Sequence, residues 1–245
     1  LQAHLEAKGQ FLALDPCYPD VATLGGIVAT ANAGFLRQRY GGVRDILIGG
    51  SMVRSDGQSA KAGGRVVKNV AGYDLMKLLT GSWGTLGIIS QMTLRLYPHP
   101  PASQTVCLTG SHEAVQGVSA ALFASSLTPT AATVIAPATA QGLGLEPKLA
   151  LLTRFQSISV SVRQQVEQME AWGSQQDLTT TLWDGATDST GWQQLRTQIE
   201  TSFTHSRQNE SPSSDNSTAI GGITCKVGVL PAKSVSTLHH MHQAI

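Results

Sequence analysis

The chain has 245 residues, 41% of them apolar and 13% charged, and carries a formal net charge of +1. Such a length can bury one large core or two smaller ones, and the low charge content argues against a disordered chain. No apolar stretch reaches the length of a bilayer span, the start LQAHLEAKGQF is not built like a signal peptide, and no basic run is interleaved with aromatics. A soluble, cytoplasmic protein that binds no nucleic acid is therefore expected.

Cys17, Cys107 and Cys225 are odd in number and lack CxxC spacing, which points away from a disulfide framework and from zinc or iron–sulfur ligation. The charge is uneven. Residues 1–101 hold ten Lys/Arg against six Asp/Glu, and the remainder seven against ten. An anionic ligand on the first part and ordinary surface variation both fit this bias.

In chain order, Leu1 and Leu5 lie one turn apart, so residues 1–7 read as the interior of a helix and the chain as lacking an N-terminal segment. Pro16 to Gly34, PCYPDVATLGGIVATANAG, is a proline-bounded turn followed by glycines and small side chains. Backbone of this kind can lie against a flat or charged ligand. Thr23 could supply a hydroxyl, Gly25 and Gly26 their N–H groups, and Asn32 its amide in either direction. A glycine-rich turn required only for close packing fits the same residues.

Asp45 to Met52 reads as a strand, and Val53 to Gly57 followed by Ser59 to Lys61 as a hairpin. Tyr73 to Leu79 reads as a short helix stopped by Gly81. Next, Gly81 to Ile89, GSWGTLGII, forms a glycine-rich loop entering a strand that runs to Leu96. It is not a GxGxxG fingerprint, and the chain contains no GxxxxGK[ST] loop. Pro98, Pro100 and Pro101 suit a linker, so a domain boundary is placed after residue 101.

Beyond the boundary, strands are expected at Gln104–Leu108, Thr130–Ile135, Leu149–Phe155, Thr179–Trp183 and Ile223–Val229. Helices are expected at Glu113–Ala124, Ser161–Trp172, Thr190–Ser202 and Pro231–His242. Together they predict a small α+β sandwich, with residues 205–218 as a polar loop.

Outside the glycine segments, Lys68, Asn69, Tyr73, Asp74 and Lys77 form a polar cluster, and Arg37, Arg39 and Arg44 a basic one. Either could meet a partner or remain solvated. His239 and His242 could share a helix face, but no third metal ligand is recognisable beside them, and no metal site is assigned.

Two glycine-rich loops in this order, joined by YGGVRD at 40–45 and GGRVVKNVAGYDLMKLL at 63–79, resemble the FAD-binding (PCMH-type) domain of the vanillyl-alcohol-oxidase class of flavoproteins. More narrowly, KNVAGYDLMKLLTGSWGTLGIIS resembles FAD-binding subunits of bacterial glycolate oxidases. The resemblance covers residues 10–101. It implies an α+β fold in which residues 1–101 are the second subdomain of the FAD-binding domain, with the N-terminal subdomain missing, followed by a smaller, cap-like α+β domain at 102–245.

The resemblance also implies cofactor contacts. Pro16, Pro19, Asp20 and Thr23 would run along FAD, and Gly25, Gly26, Ala29, Thr30, Ala31, Asn32 and Gly34 would line it. Gly84, Thr85, Leu86, Gly87, Ile88 and Ile89 would close over it.

The activity implied is oxidation of a small 2-hydroxy acid such as glycolate, in a complex with a homologous flavin-bearing subunit and an iron–sulfur subunit. Location would be cytoplasmic, or peripheral at the inner membrane through those partners. Residues 102–245 show no compact His/Arg/Tyr constellation, so the catalytic base is unassigned. Two alternatives stay open: a non-catalytic assembly or electron-relay subunit, and a D-lactate-type dehydrogenase.

Overall fold

The structure is a computed structural model and describes residues 1–64 and 76–208. It divides into two compact units, Leu1–Pro101 and a second beginning at Ala102. Lys68, Asn69, Tyr73, Asp74, the start of the 73–79 helix, the 223–229 strand, the 231–242 helix with its histidines, and most of the 205–218 loop lie outside the described residues.

The first unit runs α1 (Gln2–Glu6), β1 (Gln10–Phe11), α2 (Leu24–Thr30), α3 (Arg37–Tyr40), α4 (Val43–Ile46), β2 (Leu47–Val53), β3 (Ser59–Gly63), α5 (Met76–Leu79), β4 (Ile88–Leu94) and β5 (Tyr97–Pro98). Strands β3, β2 and β4 form an antiparallel sheet in that order. The hairpin expected at 53–61 is present: Arg54 N–H donates to Gln58 O at 2.9 Å across the β2–β3 turn.

The strand expected from Asp45 begins at Leu47 instead. The preceding residues form one helical turn, held by the Asp45 carboxylate accepting from Gly42 N–H at 2.8 Å. The proline segment also differs from a free linker. Tyr97 and Pro98 pair with Phe11 and Gln10, and Pro98 is tolerated because this two-residue ladder is all edge. Leu12, Leu14, Val28, Val43, Ile46 and Leu79 form the core beneath the sheet.

The second unit runs β6 (Ala102–Gly110), α6 (His112–Ala124), β7 (Ala131–Ile135), α7 (Pro137–Gly142), β8 (Leu149–Ser157), α8 (Ser159–Gln175), β9 (Thr179–Asp184) and α9 (Gly185–Gln208). Its sheet is antiparallel throughout, ordered β7-β8-β6-β9. Setting aside α7 and α9, this is the split βαββαβ order of a ferredoxin-like sandwich.

Strand alternation sorts the side chains between two faces. Val106 and Leu108 of β6, with Leu151 and Phe155 of β8, pack against Val115 and Val118 of α6 and Val162, Val166 and Met169 of α8. Each such fully buried side chain contributes roughly 1.5–3 kcal/mol. Thr105, Cys107 and Thr109 point to the opposite face and are equally buried. Helix α9 reaches that face, its Trp192 Nε1 donating to Thr105 Oγ1 at 2.8 Å.

Candidate functional site

The 16–34 segment, read as turn and loop, contains a helix. Thr23, in extended conformation, caps α2 by accepting from Gly26 N–H at 3.0 Å, and the helical ladder opens with Ile27 N–H to Thr23 O at 2.9 Å. Gly26 N–H, expected to face a ligand, is therefore taken by Thr23. The N–H groups of Leu24 and Gly25 precede the first ladder bond and find no acceptor among the described residues.

The far end of α2 is tied down by backbone. Ala31 adopts a left-handed conformation at φ +53°, and Asn32 N–H donates to Ile27 O at 3.0 Å. The Asn32 amide both accepts from Cys17 N–H and donates to Cys17 O, each at 3.3 Å. It hooks the 16–22 turn onto the helix. Thr30 Oγ1 likewise donates to Gly26 O at 2.7 Å within the helix.

The second glycine-rich segment meets the same helix end. Gly81 N–H donates to Val28 O at 3.0 Å, Trp83 N–H to Ala29 O at 2.8 Å, and Thr85 closes the loop onto Ser82 O. Segments some fifty residues apart in the sequence thus converge on α2. Pro16, Pro19 and Asp20 lie on the turn before it, while Leu86 and Ile88 are exposed beyond the loop. Ile89 instead packs against the core of the unit.

The glycines separate into those the protein needs for packing and those it does not. A Cβ on Gly34 would sit 2.0 Å from Asp15 O, and one on Gly87 2.4 Å from Val53 O. Both are demanded by neighbouring backbone. A Cβ on Gly25 would meet nothing within 4 Å, although Gly weakens a helix. Among the described residues, space beside the N–H groups of Leu24 and Gly25 is thereby kept clear, which fits a phosphate-bearing cofactor lying against backbone.

Two contributors escaped the sequence reading. Asp15 accepts from Phe35 N–H at 2.8 Å and Leu36 N–H at 3.2 Å, fixing the turn after Gly34. Trp83 is 75% exposed on a left-handed backbone. Arg37, Arg39, Arg44 and Lys77 are exposed.

In the second unit the polar side chains turn inward. Ser103, Thr105 and Arg154 all donate to Asp188 beneath α9. Burial, and secondarily the Asp188 carboxylate, push the Cys107 thiol far above its ordinary value. Hydrogen bonds from Lys148 and Thr179 hold the exposed Glu146 carboxyl below its usual range. Among the described residues no cluster of three His, Cys, Asp or Glu could hold a metal, and no helix is long and apolar enough to cross a membrane.

In the first unit both glycine-rich segments thus meet at one short helix. Residues 1–63 match the family described as FAD binding domain, and the cofactor of that domain is FAD. The chain is 42% identical over 104 residues to glycolate oxidase subunit GlcE of Escherichia coli K12, covering 42% of this chain and 30% of that protein. It is 38% identical over 102 residues to glycolate oxidase subunit GlcD of Bacillus subtilis, and 44% identical over 103 residues to a mitochondrial D-lactate dehydrogenase [cytochrome] of Arabidopsis thaliana. These matches span 42% of this chain in each case, and 22% and 18% of the two relatives.

The fold is shared with alkyldihydroxyacetonephosphate synthase (TM-score 0.64, 22% identity, 81% of this chain and 42% of that one). It is shared also with a VAO-type flavoprotein of Myceliophthora thermophila (TM-score 0.55, 17% identity, 75% of this chain and 33% of that one).

Proposed function

We propose that this chain is the FAD-binding part of an oxidoreductase acting on small 2-hydroxy acids, as a subunit of a glycolate oxidase complex. The observation that carries the reading is Gly25, a helical glycine whose Cβ position meets no atom of the described residues, beside N–H groups with no acceptor among those residues. Similarity to two glycolate oxidase subunits and a D-lactate dehydrogenase supports the substrate class.

In this reading Leu24 and Gly25 donate backbone N–H groups to a phosphate oxygen, and Thr23, whose oxygen already accepts from Gly26, offers its O–H. The turn with Pro16, Pro19 and Asp20 and the loop from Gly84 to Ile88 form walls on either side of α2. FAD held there would supply the two-electron chemistry that oxidation of a hydroxy acid needs. The residues named here bind and orient; proton removal is not assigned to any of them. A homologous flavin-bearing subunit and an iron–sulfur subunit are the proposed partners, since the relatives are themselves named as subunits.

A second reading, that the chain assembles the complex without oxidising substrate itself, is favoured by the inward-facing Ser103, Thr105, Arg154 and Asp188 of the second unit. Purified protein loaded with FAD tests both. A yellow protein bleached anaerobically by glycolate or D-lactate supports the catalytic reading. A yellow protein that neither acid bleaches until partner subunits are added supports the assembly reading. Colourless protein after loading overturns the flavin-binding reading. Gly25→Val is expected to abolish flavin retention while leaving the far-ultraviolet circular dichroism unchanged.

A further inference from the structure

We infer that Trp83 is an aromatic wall of the FAD site, stacking on one of the cofactor's flat ring systems; the inference rests on the FAD-binding reading above. Four observations lead to it. The indole is 75% exposed, a large apolar surface that the first unit itself leaves uncovered. Its backbone lies at φ +54°, a left-handed conformation in which a bulky L-residue is rarely held.

Third, that conformation is imposed by a specific anchor. Trp83 N–H donates to Ala29 O at 2.8 Å, with Gly81 N–H bonded to Val28 O beside it, so the backbone that carries the ring is tied to α2 and is not the tip of a free loop. Fourth, the adjoining Gly84 and the helix residue Gly25 both have open space where a Cβ would stand. One open position thus lies in α2 itself and the other directly follows the residue whose backbone is bonded to that helix.

A protein seldom maintains a strained, exposed tryptophan beside empty space unless a flat partner covers it. Indole is the strongest of the aromatic stacking platforms, and FAD brings two such partners, isoalloxazine and adenine. Leu78, Leu86 and Ile88, also exposed, extend the apolar surface of the same chain segment.

Titration of the purified protein with FAD tests this. Trp83 is the one tryptophan among residues 1–101, the others being Trp172, Trp183 and Trp192. The difference in emission between the wild type and Trp83→Phe therefore isolates its signal. FAD is expected to quench that signal, and Trp83→Ala to weaken FAD binding by about ten-fold or more by calorimetry, with Trp83→Phe staying within about three-fold.

Competition by riboflavin identifies isoalloxazine as the stacked ring, and competition by ADP identifies adenine. Equal FAD affinity in wild type and Trp83→Ala overturns the inference and leaves the FAD-binding reading intact. Absence of FAD binding in the wild type overturns both. Trp83→Ala touches an exposed ring, and an unchanged thermal melt separates lost stacking from lost fold.

Discussion

Asp188 and Arg154 form a buried ion pair beneath α9, with Nη2 at 2.5 Å and Nε at 2.9 Å from the same carboxylate oxygen and only 1% of the Asp188 side chain exposed. The other oxygen accepts from Thr105 Oγ1 at 2.5 Å, and Ser103 Oγ adds a bond of 2.6 Å. Thr105 in turn receives the Trp192 indole N–H, so one carboxylate joins two strands to the first turns of a long helix. Taking the acid away strands a guanidinium and two hydroxyls. Asp188→Ala is expected to destabilise the second unit by about 3–5 kcal/mol, read as a lower urea midpoint at an unchanged m-value.

Thr153 offers the opposite case. It is fully buried on the face that packs against α6 and α8, and its hydroxyl has no hydrogen-bond partner. Replacing that hydroxyl with a methyl of similar shape removes a desolvation penalty without opening a cavity. Thr153→Val is expected to stabilise the second unit by about 1 kcal/mol, visible as a rise in Tm.

Gly34 and Gly25 differ in what a side chain would meet. The Cβ of Gly34→Ala would collide with Asp15 backbone and carboxylate, disturbing the bonds Asp15 makes to Phe35 and Leu36. A loss of about 2 kcal/mol or more is expected. Gly25→Ala, with open space and a helical position, is expected to raise stability by roughly 0.5–1 kcal/mol while weakening FAD binding. Denaturant titration and flavin calorimetry on both variants would show whether the two effects divide in this way.

Cys107 makes stability depend on alkaline pH. Its thiol is held protonated in the folded state, whereas in the unfolded chain it ionises near about 8.5. Because the folded value is raised, the contribution is complete below the unfolded value and is lost as pH rises above it. Unfolding free energy should therefore decline above about pH 8.5 with a slope approaching 1.4 kcal/mol per pH unit. Cys107→Ala should remove this component. In the native protein at neutral pH, iodoacetamide is expected to modify the half-buried Cys17 and spare Cys107, as peptide mass spectrometry would read.

The second unit was legible because its patterns are local. Leu149–Leu152 is a continuous apolar run that opens a strand, and Val162, Val166 and Met169 repeat at helical spacing. Helix α2 escaped because Gly25, Gly26 and Ala29 carry no amphipathic signal, although Thr23 before a short apolar run was an available N-cap cue. The glycine-rich halves of the candidate site were visible as composition. Their meeting at α2 was not, since it depends on Gly81 and Trp83 N–H groups reaching Val28 and Ala29. Nor could sequence reveal that Gly34 answers to Asp15, or that Asn32 holds Cys17, because these pairings exist only in the folded backbone.

The two-residue ladder between Gln10–Phe11 and Tyr97–Pro98, reinforced by Tyr40 and Tyr97 ring contact at 4.6 Å, works as a clasp. It closes residues 12–96 into a loop whose two ends leave side by side. Opening this clasp would free both ends of the first unit together, so its loss is felt at two distant points of the sequence at once.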